Sequence, residues 1–132
     1  MPRSAFPRVL AAALVSAGLL AGCGGGGGSG GGGGYKEPAG PPVQTLMIDS
    51  HNFAYDPSKL TAQAGVTAIK LTGSGGQHTL VFSKKFSGFL LEVNGTGDSQ
   101  TGKVDLQPGS YTFYCDLPGH RAQGMEGTLT VS

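Results

Sequence analysis

Three side chains that bind soft metals follow one another at five-residue intervals near the end of the chain: Cys115, His120 and Met125. The chain has 132 residues but only two cysteines, three histidines and three methionines, so this segment concentrates its metal-binding side chains. Calcium and magnesium prefer oxygen ligands and are excluded. Structural zinc sites are built from strong cysteine and histidine donors, and methionine does not suit them. The donor types therefore favour copper.

Alternating apolar residues predict the strands that must position these ligands. Cys115 has the same parity as the apolar residues before it, and His78 has the same parity as those after it. Both side chains are therefore predicted to point inward. Met125 is in step with the apolar residues of the last strand, and His120 falls in the loop before that strand. Two imidazoles, a thiolate and a thioether can thus meet at one end of the domain, as in blue copper electron-transfer sites.

The same alternation runs through the rest of the domain. About seven runs with a period of two are separated by turn sequences such as YDPS, GSGG, NGTGD and QPGS. Sustained helical periodicity is absent, and only residues 83–88 are predicted to form an irregular or short helical piece. This pattern predicts an all-β, antiparallel sandwich or barrel of about seven to eight strands.

Several of these segments resemble one known family. GSYTFYCDLPGHRAQGMEGTLTV is similar to the copper loop and last strand of cupredoxins, the superfamily of plastocyanin, azurin and auracyanin. GGQHTLVF is similar to the segment that carries their first histidine, and FAYDPSKLTAQAG resembles their second strand. The resemblance implies a Greek-key β-sandwich over residues 43–132. It also implies one type 1 copper ion, bound by His78, Cys115, His120 and Met125.

The resemblance further implies an electron carrier and not an enzyme. His120 would be the partly exposed ligand through which electrons pass, and Leu117, Pro118 and Ala122 would form a docking patch around it. Copper enzymes of this superfamily need additional histidine ligands, and His51 is the only histidine to spare. The alternative is a periplasmic copper chaperone or copper-buffering protein, a class that tends to have more methionine and histidine and more open sites.

Two residues depart from the family pattern. Many cupredoxins have an asparagine after the first histidine that ties the two ligand segments together, whereas this chain has Thr79, whose shorter side chain can make a similar bond. Asp116 follows the copper cysteine, and its parity opposes that of Cys115, so its carboxylate is predicted to point outward. Tyr111 follows the turn QPGS and is predicted to bond to nearby backbone in a tyrosine corner.

Residues 1–22 are predicted to be an export signal. Arg3 and Arg8 precede an apolar run, residues 9–20, that is too short to cross a bilayer comfortably. The following LLAGC resembles the lipobox of bacterial lipoproteins, in which Cys23 is lipidated and becomes the mature N-terminus. An ordinary signal peptide with an incidental cysteine is the alternative. Residues 23–42 are rich in glycine and proline, and we predict that they form a flexible linker.

The charge and the cysteine content limit the possible partners and cross-links. Subtracting Arg3 and Arg8 from the nine basic residues leaves seven, against eight acidic residues, so the mature chain is nearly neutral. This balance offers no basic surface for nucleic acid. Cys115 is the only thiol of the folded part, which excludes an internal disulfide there. We expect a monomer that is lipid-anchored to a bacterial membrane, faces the periplasm or the cell exterior, and exchanges electrons with redox proteins as donors and acceptors.

Overall fold

A computed structural model describes residues 34–132, so the predicted signal and Cys23 lie outside the described residues. The described part contains nine strands and one 3-10 turn: β1 Gln44–His51, β2 Ala54–Asp56, β3 Lys59–Ala62, β4 Gly65–Gly73, β5 His78–Phe82, β6 Leu91–Val93, β7 Ser99–Leu106, β8 Gly109–Tyr114, the 3-10 turn Arg121–Gln123 and β9 Glu126–Val131. Within residues 34–132, no helix has the length and apolar character needed to cross a membrane.

The strands form two sheets that enclose one apolar core. One sheet has the order β2-β1-β4-β7, and the other has the order β3-β9-β8-β5-β6. Neighbours such as β1 and β4, or β5 and β8, are not consecutive in the chain, so the connections cross between the sheets as they do in Greek-key sandwiches. The predicted all-β sandwich is therefore confirmed.

The number and directions of the strands differ from the prediction. Nine strands are present instead of seven to eight, and the sheets are mixed, because β1 pairs with β4 and β3 pairs with β9 in parallel. The cause lies in residues 54–62, where Pro57 separates β2 from β3. Proline cannot donate a ladder hydrogen bond, so the chain leaves the first sheet there and joins the second. The next turn then brings β4 back beside β1 in the same direction.

The predicted alternation of buried residues is confirmed in β1, β7 and β9. Leu46 and Ile48 are buried on either side of the exposed Met47, whereas β4 departs from the pattern and buries residues 67–69 in succession. Tyr111 makes the predicted corner, because its hydroxyl donates to the Gln107 carbonyl at 2.8 Å and accepts from the Gln107 N–H at 2.9 Å. Residues 83–88 are irregular and contain no helix.

Part of the predicted linker packs against the domain. The Tyr35 hydroxyl donates to the Lys103 carbonyl at 2.9 Å, and the Lys103 N–H donates to Glu37 Oε1 at 3.0 Å. The Tyr35 ring meets the Phe89 ring edge-on, with 5.2 Å between the centroids. Lys103 lies on β7, an edge strand, so Glu37 satisfies an otherwise free donor of the sheet. Among the described residues, packing against the domain thus extends back to Tyr35, before the predicted boundary at residue 43.

Candidate metal centre

The four predicted ligands lie at one end of the sandwich. His78 is the first residue of β5, Cys115 directly follows β8, and Met125 directly precedes β9. Since β8 runs antiparallel to both neighbours, the start of β5, the end of β8 and the start of β9 meet at this end. His120 lies in the loop between β8 and β9. Cys115 and Met125 are fully buried and His78 is 3% exposed, so the predicted inward orientation is confirmed.

Three of the ligands form a compact cluster. The donor atoms of His78, Cys115 and His120 all lie within 4.8 Å of one another. Cys115 Sγ is 3.4 Å from His120 Nδ1, and the two imidazole centroids are 5.3 Å apart. Metal bonds to imidazole nitrogen and thiolate sulfur are roughly 2.0–2.3 Å long. Two donors bound to one ion are therefore separated by less than twice that length, and the distance between Cys115 Sγ and His120 Nδ1 meets this condition.

His78 is prepared to bind a metal through Nδ1. Its Nε2 lies 2.7 Å from the Gly75 carbonyl oxygen, which can only accept, so Nε2 carries the proton and donates. The Nδ1 lone pair is buried and has no hydrogen-bond partner within the described residues. Burial is the main cause that lowers the pKa of His78, and the Gly75 carbonyl opposes it in part. The neutral imidazole that metal binding requires is thus favoured.

Backbone hydrogen bonds bring Met125 close to the other ligands. The Met125 N–H donates to the His120 carbonyl, and the Cys115 N–H donates to the Met125 carbonyl, each at 3.1 Å. These bonds close the loop of residues 115–125 around the cluster. The side chain of Met125 is fully buried at this closure. Its role as the fourth ligand stays a prediction.

Thr79 ties the two ligand segments together. Its hydroxyl donates to Asp116 Oδ1 at 2.6 Å and accepts from the Asp116 N–H at 3.0 Å. The Thr79 N–H also donates to Cys115 Sγ at 3.3 Å, which stabilises a thiolate. Asp116 is exposed, as its parity indicates, but its carboxylate returns to the threonine. The bond predicted for Thr79 between the two ligand segments is therefore present.

Phe53 covers the cluster from outside, and the sequence analysis missed this residue. Asn52 and Phe53 form the two-residue turn between β1 and β2, with φ of 38° and 58°. Positive φ at both positions is the type I′ hairpin geometry. The Phe53 ring meets the His120 ring edge-on at 4.8 Å between centroids and the His78 ring at 6.4 Å. The available signal was the sequence HNFA at residues 51–54, in which two residues connect two alternating strands and so predict a tight hairpin.

The predicted docking residues surround His120 in the chain and differ in exposure. Pro118 and Ala122 are exposed, and Leu117 is half-buried and packs against the core. Leu117 and His120 also line an open recess that extends to Phe53 and reaches His78. His51 lies outside the cluster, where its Nδ1 is 3.2 Å from Asp49 Oδ2.

Comparison with known proteins agrees with this geometry. A family model described as copper binding proteins, plastocyanin/azurin family, matches residues 43–132. Plastocyanin of Nostoc punctiforme is 33% identical over 96 residues, which cover 63% of this chain and 68% of that protein. Plastocyanin of a Synechococcus species is 31% identical over 94 residues, which cover 64% of this chain and 68% of that protein.

Solved structures show the same architecture. Auracyanin B has a TM-score of 0.63 at 22% sequence identity, and the match covers 79% of this chain and 99% of that one. Dithionite-reduced auracyanin from the photosynthetic bacterium Roseiflexus castenholzii has a TM-score of 0.56 at 25% identity, over 70% of this chain and 99% of that one.

Proposed function

Because the chain belongs to the plastocyanin/azurin family of copper-binding proteins, we propose that it carries single electrons between redox proteins outside the cytoplasm. It is a blue copper electron-transfer protein with one type 1 copper ion, and not an enzyme. The observation that carries the proposal is the convergence of His78, Cys115 and His120, whose donor atoms lie within 4.8 Å of one another.

The protein residues hold the donor set in place. The proposed ligands are His78, Cys115 and His120, with Met125 as the weaker fourth ligand. When bound, copper supplies the one-electron couple. The strands hold His78 and Cys115, while Thr79 links their segments through Asp116. Donors held in one arrangement need little rearrangement when the charge of the centre changes, and this favours fast electron transfer.

The exposure of the four proposed ligands indicates the route by which electrons would leave the copper site. His120 is half-buried, whereas His78, Cys115 and Met125 are buried. We therefore propose His120 as the exit ligand, surrounded by a docking patch of Leu117, Pro118 and Ala122. The mature chain is nearly neutral, so apolar contact at the patch rather than long-range charge steering would govern docking.

Membrane anchoring is a separate part of the proposal. The sequence LLAGC supports removal of residues 1–22 and lipidation of Cys23. A tethered domain meets membrane-bound partners at a high effective concentration, which raises the encounter frequency without any new contact. Incorporation of labelled fatty acid that disappears in Cys23→Ser is expected. Unchanged labelling in that variant, or release of the unmodified chain into the medium, would contradict the anchor.

A visible spectrum of the purified protein loaded with Cu(II) tests the redox centre. We expect an intense thiolate-to-copper band that a mild reductant bleaches and an oxidant restores, and that is missing in Cys115→Ser. The matched control is His51→Gln, which alters a histidine outside the cluster and should leave the band intact. Colourless or rapidly exchanging copper would instead favour the copper-buffering alternative.

A further inference from the structure

Three side chains outside the metal cluster each stand next to a proposed ligand in the chain. Tyr114 precedes Cys115, Arg121 follows His120, and Glu126 follows Met125. Tyr114 and Glu126 are directly opposite each other in the ladder between β8 and β9, at the point where the loop leaves and re-enters the sheet.

Arg121 joins these two residues from the loop. Its guanidinium carbon lies 4.0 Å from the centroid of the Tyr114 ring, a cation–π distance. Its Nε donates to Glu126 Oε2 at 2.6 Å. We call these three residues the clamp: the Arg121 guanidinium stacks on the Tyr114 ring of β8 and forms an ion pair with Glu126 of β9.

Between His120 and Met125 the loop has no buried side chain that would fix it against the sheet. No residue of the 3-10 turn Arg121–Gln123 is buried, and Gly124 ends the turn with φ of 102°. Backbone bonds such as the Gln123 N–H to the Gly119 carbonyl, at 3.2 Å, hold the turn internally but not against the sheet. Exposed segments with few apolar contacts open locally at low free energy. The clamp is therefore well placed to limit this opening.

We propose that Arg121 is a positioning residue that clamps the ligand loop onto β8 and β9 and thereby fixes His120 relative to Cys115. Neither Arg121 nor its two partners is a proposed metal ligand. The clamp acts by restricting the loop between the ligands. Its effect on electron transfer rests on the proposed function, whereas its effect on loop order does not.

Amide hydrogen exchange of the metal-free protein tests the clamp without relying on copper. In Arg121→Gln we expect the N–H groups of Gln123 and Met125 to exchange about tenfold faster or more, because local opening becomes easier. The N–H groups of β4 should be unchanged. Arg121→Lys keeps the charge but not the planar fork and should restore only part of the protection. Lys84→Gln, in another exposed loop, is the matched control.

Salt gives a second readout of the same contact. Both side chains of the ion pair are nearly half exposed, so 1 M NaCl screens it. High salt should therefore speed exchange at Met125 in the wild type and bring it closer to Arg121→Gln. Loop exchange that does not change in Arg121→Gln, or that rises equally in β4, would overturn the clamp.

The copper-loaded protein tests the positioning role. We expect a several-fold slower electron self-exchange rate and a shifted thiolate band in Arg121→Gln, both partly restored in Arg121→Lys. Faster loop exchange combined with a wild-type band and self-exchange rate would overturn the positioning role. A wild-type protein without any thiolate band would instead refute the proposed function, while the hydrogen-exchange result would still decide whether the clamp exists.

Discussion

The two histidines of the metal centre are held in different ways. His78 belongs to strand β5 and is 3% exposed, and its Nε2 donates a hydrogen bond to the Gly75 carbonyl. His120 lies in a loop whose neighbouring residues are exposed, and its ring is supported from outside by Phe53. The difference indicates a division of labour at one site. A closed histidine fixes the geometry of the donors, and an open histidine connects them with the surface.

Removal of each imidazole in turn should give the largest difference between the two histidines. In His120→Gly, added imidazole can enter through the open side, and we expect it to restore the thiolate-to-copper band. In His78→Gly, the replaced imidazole is 3% exposed at the inner end of the recess, so the apparent affinity for imidazole should be about tenfold weaker or more, a difference of roughly 1.4 kcal/mol. Titration of both variants with imidazole under the visible spectrum measures this.

Equal rescue of the two variants would show that the positions are equally accessible and would contradict the division of labour. Glycine at His51, which lies outside the cluster, serves as the control. It should keep the band without added imidazole.

Thr79 is the second point of difference, because it ties the segment of His78 to Asp116 by a side-chain hydrogen bond, whereas Arg121 ties the segment of His120 to Glu126. Thr79→Val keeps the shape but removes the hydroxyl that bonds to Asp116, and should lower the free energy of unfolding by about 1–2 kcal/mol. Urea unfolding of the metal-free protein measures this. Thr79→Ser should retain most of the stability, and Thr45→Val, at an exposed position of β1, should change little. A loss in Thr45→Val as large as in Thr79→Val would refute a specific tie.

The sequence predicted the closed half of the site better than the open half. His78 and Cys115 are placed by strand alternation, a local property, and so are Leu46, Ile48 and the Tyr111 corner. The parallel pairing of β1 with β4 was not predictable in this way. Alternation reports which side of a strand is buried, but it does not report which sheet the strand joins after Pro57.

The contacts that organise the open half depend on residues distant in the chain. Phe53 reaches His120 from a hairpin 67 positions away, which is the difference between the two residue numbers. Asp116 was correctly predicted to be on the exposed side, yet only the fold shows that its carboxylate returns to Thr79. Such pairings require the tertiary structure, because neither periodicity nor turn composition encodes them.

Substitution of Phe53 tests how the ring of the open histidine, His120, is supported. Phe53→Gly removes the ring contact with His120 but also relieves a positive φ, which is unfavourable for a bulky residue. The two effects oppose each other, and we expect the free energy of unfolding to change by no more than about 1 kcal/mol. The His120 ring should nevertheless become more mobile, as measured by NMR relaxation of its side chain.

Asn52→Gly is the matched control for Phe53, since it relieves a positive φ in the same turn without removing the ring. His120 mobility should then stay as in the wild type. If the His120 ring were equally ordered in Phe53→Gly and wild type, its support would have to come from the loop alone.

The smallest expected effect is the pH dependence of the metal-free protein, and it tests how closed His78 is. Burial lowers the pKa of folded His78, so near pH 6.5 the unfolded chain binds a proton that the folded protein does not. The contribution of neutral His78 to the free energy of unfolding is therefore fully present above pH 6.5 and is lost as the pH falls toward the folded pKa of His78. At pH 6 this loss cannot exceed about 0.8 kcal/mol. Urea unfolding between pH 8 and pH 5 measures it, and His78→Gln should flatten the curve. An unchanged curve in His78→Gln would mean that burial of His78 does not exclude the proton, which would contradict a closed position for this histidine.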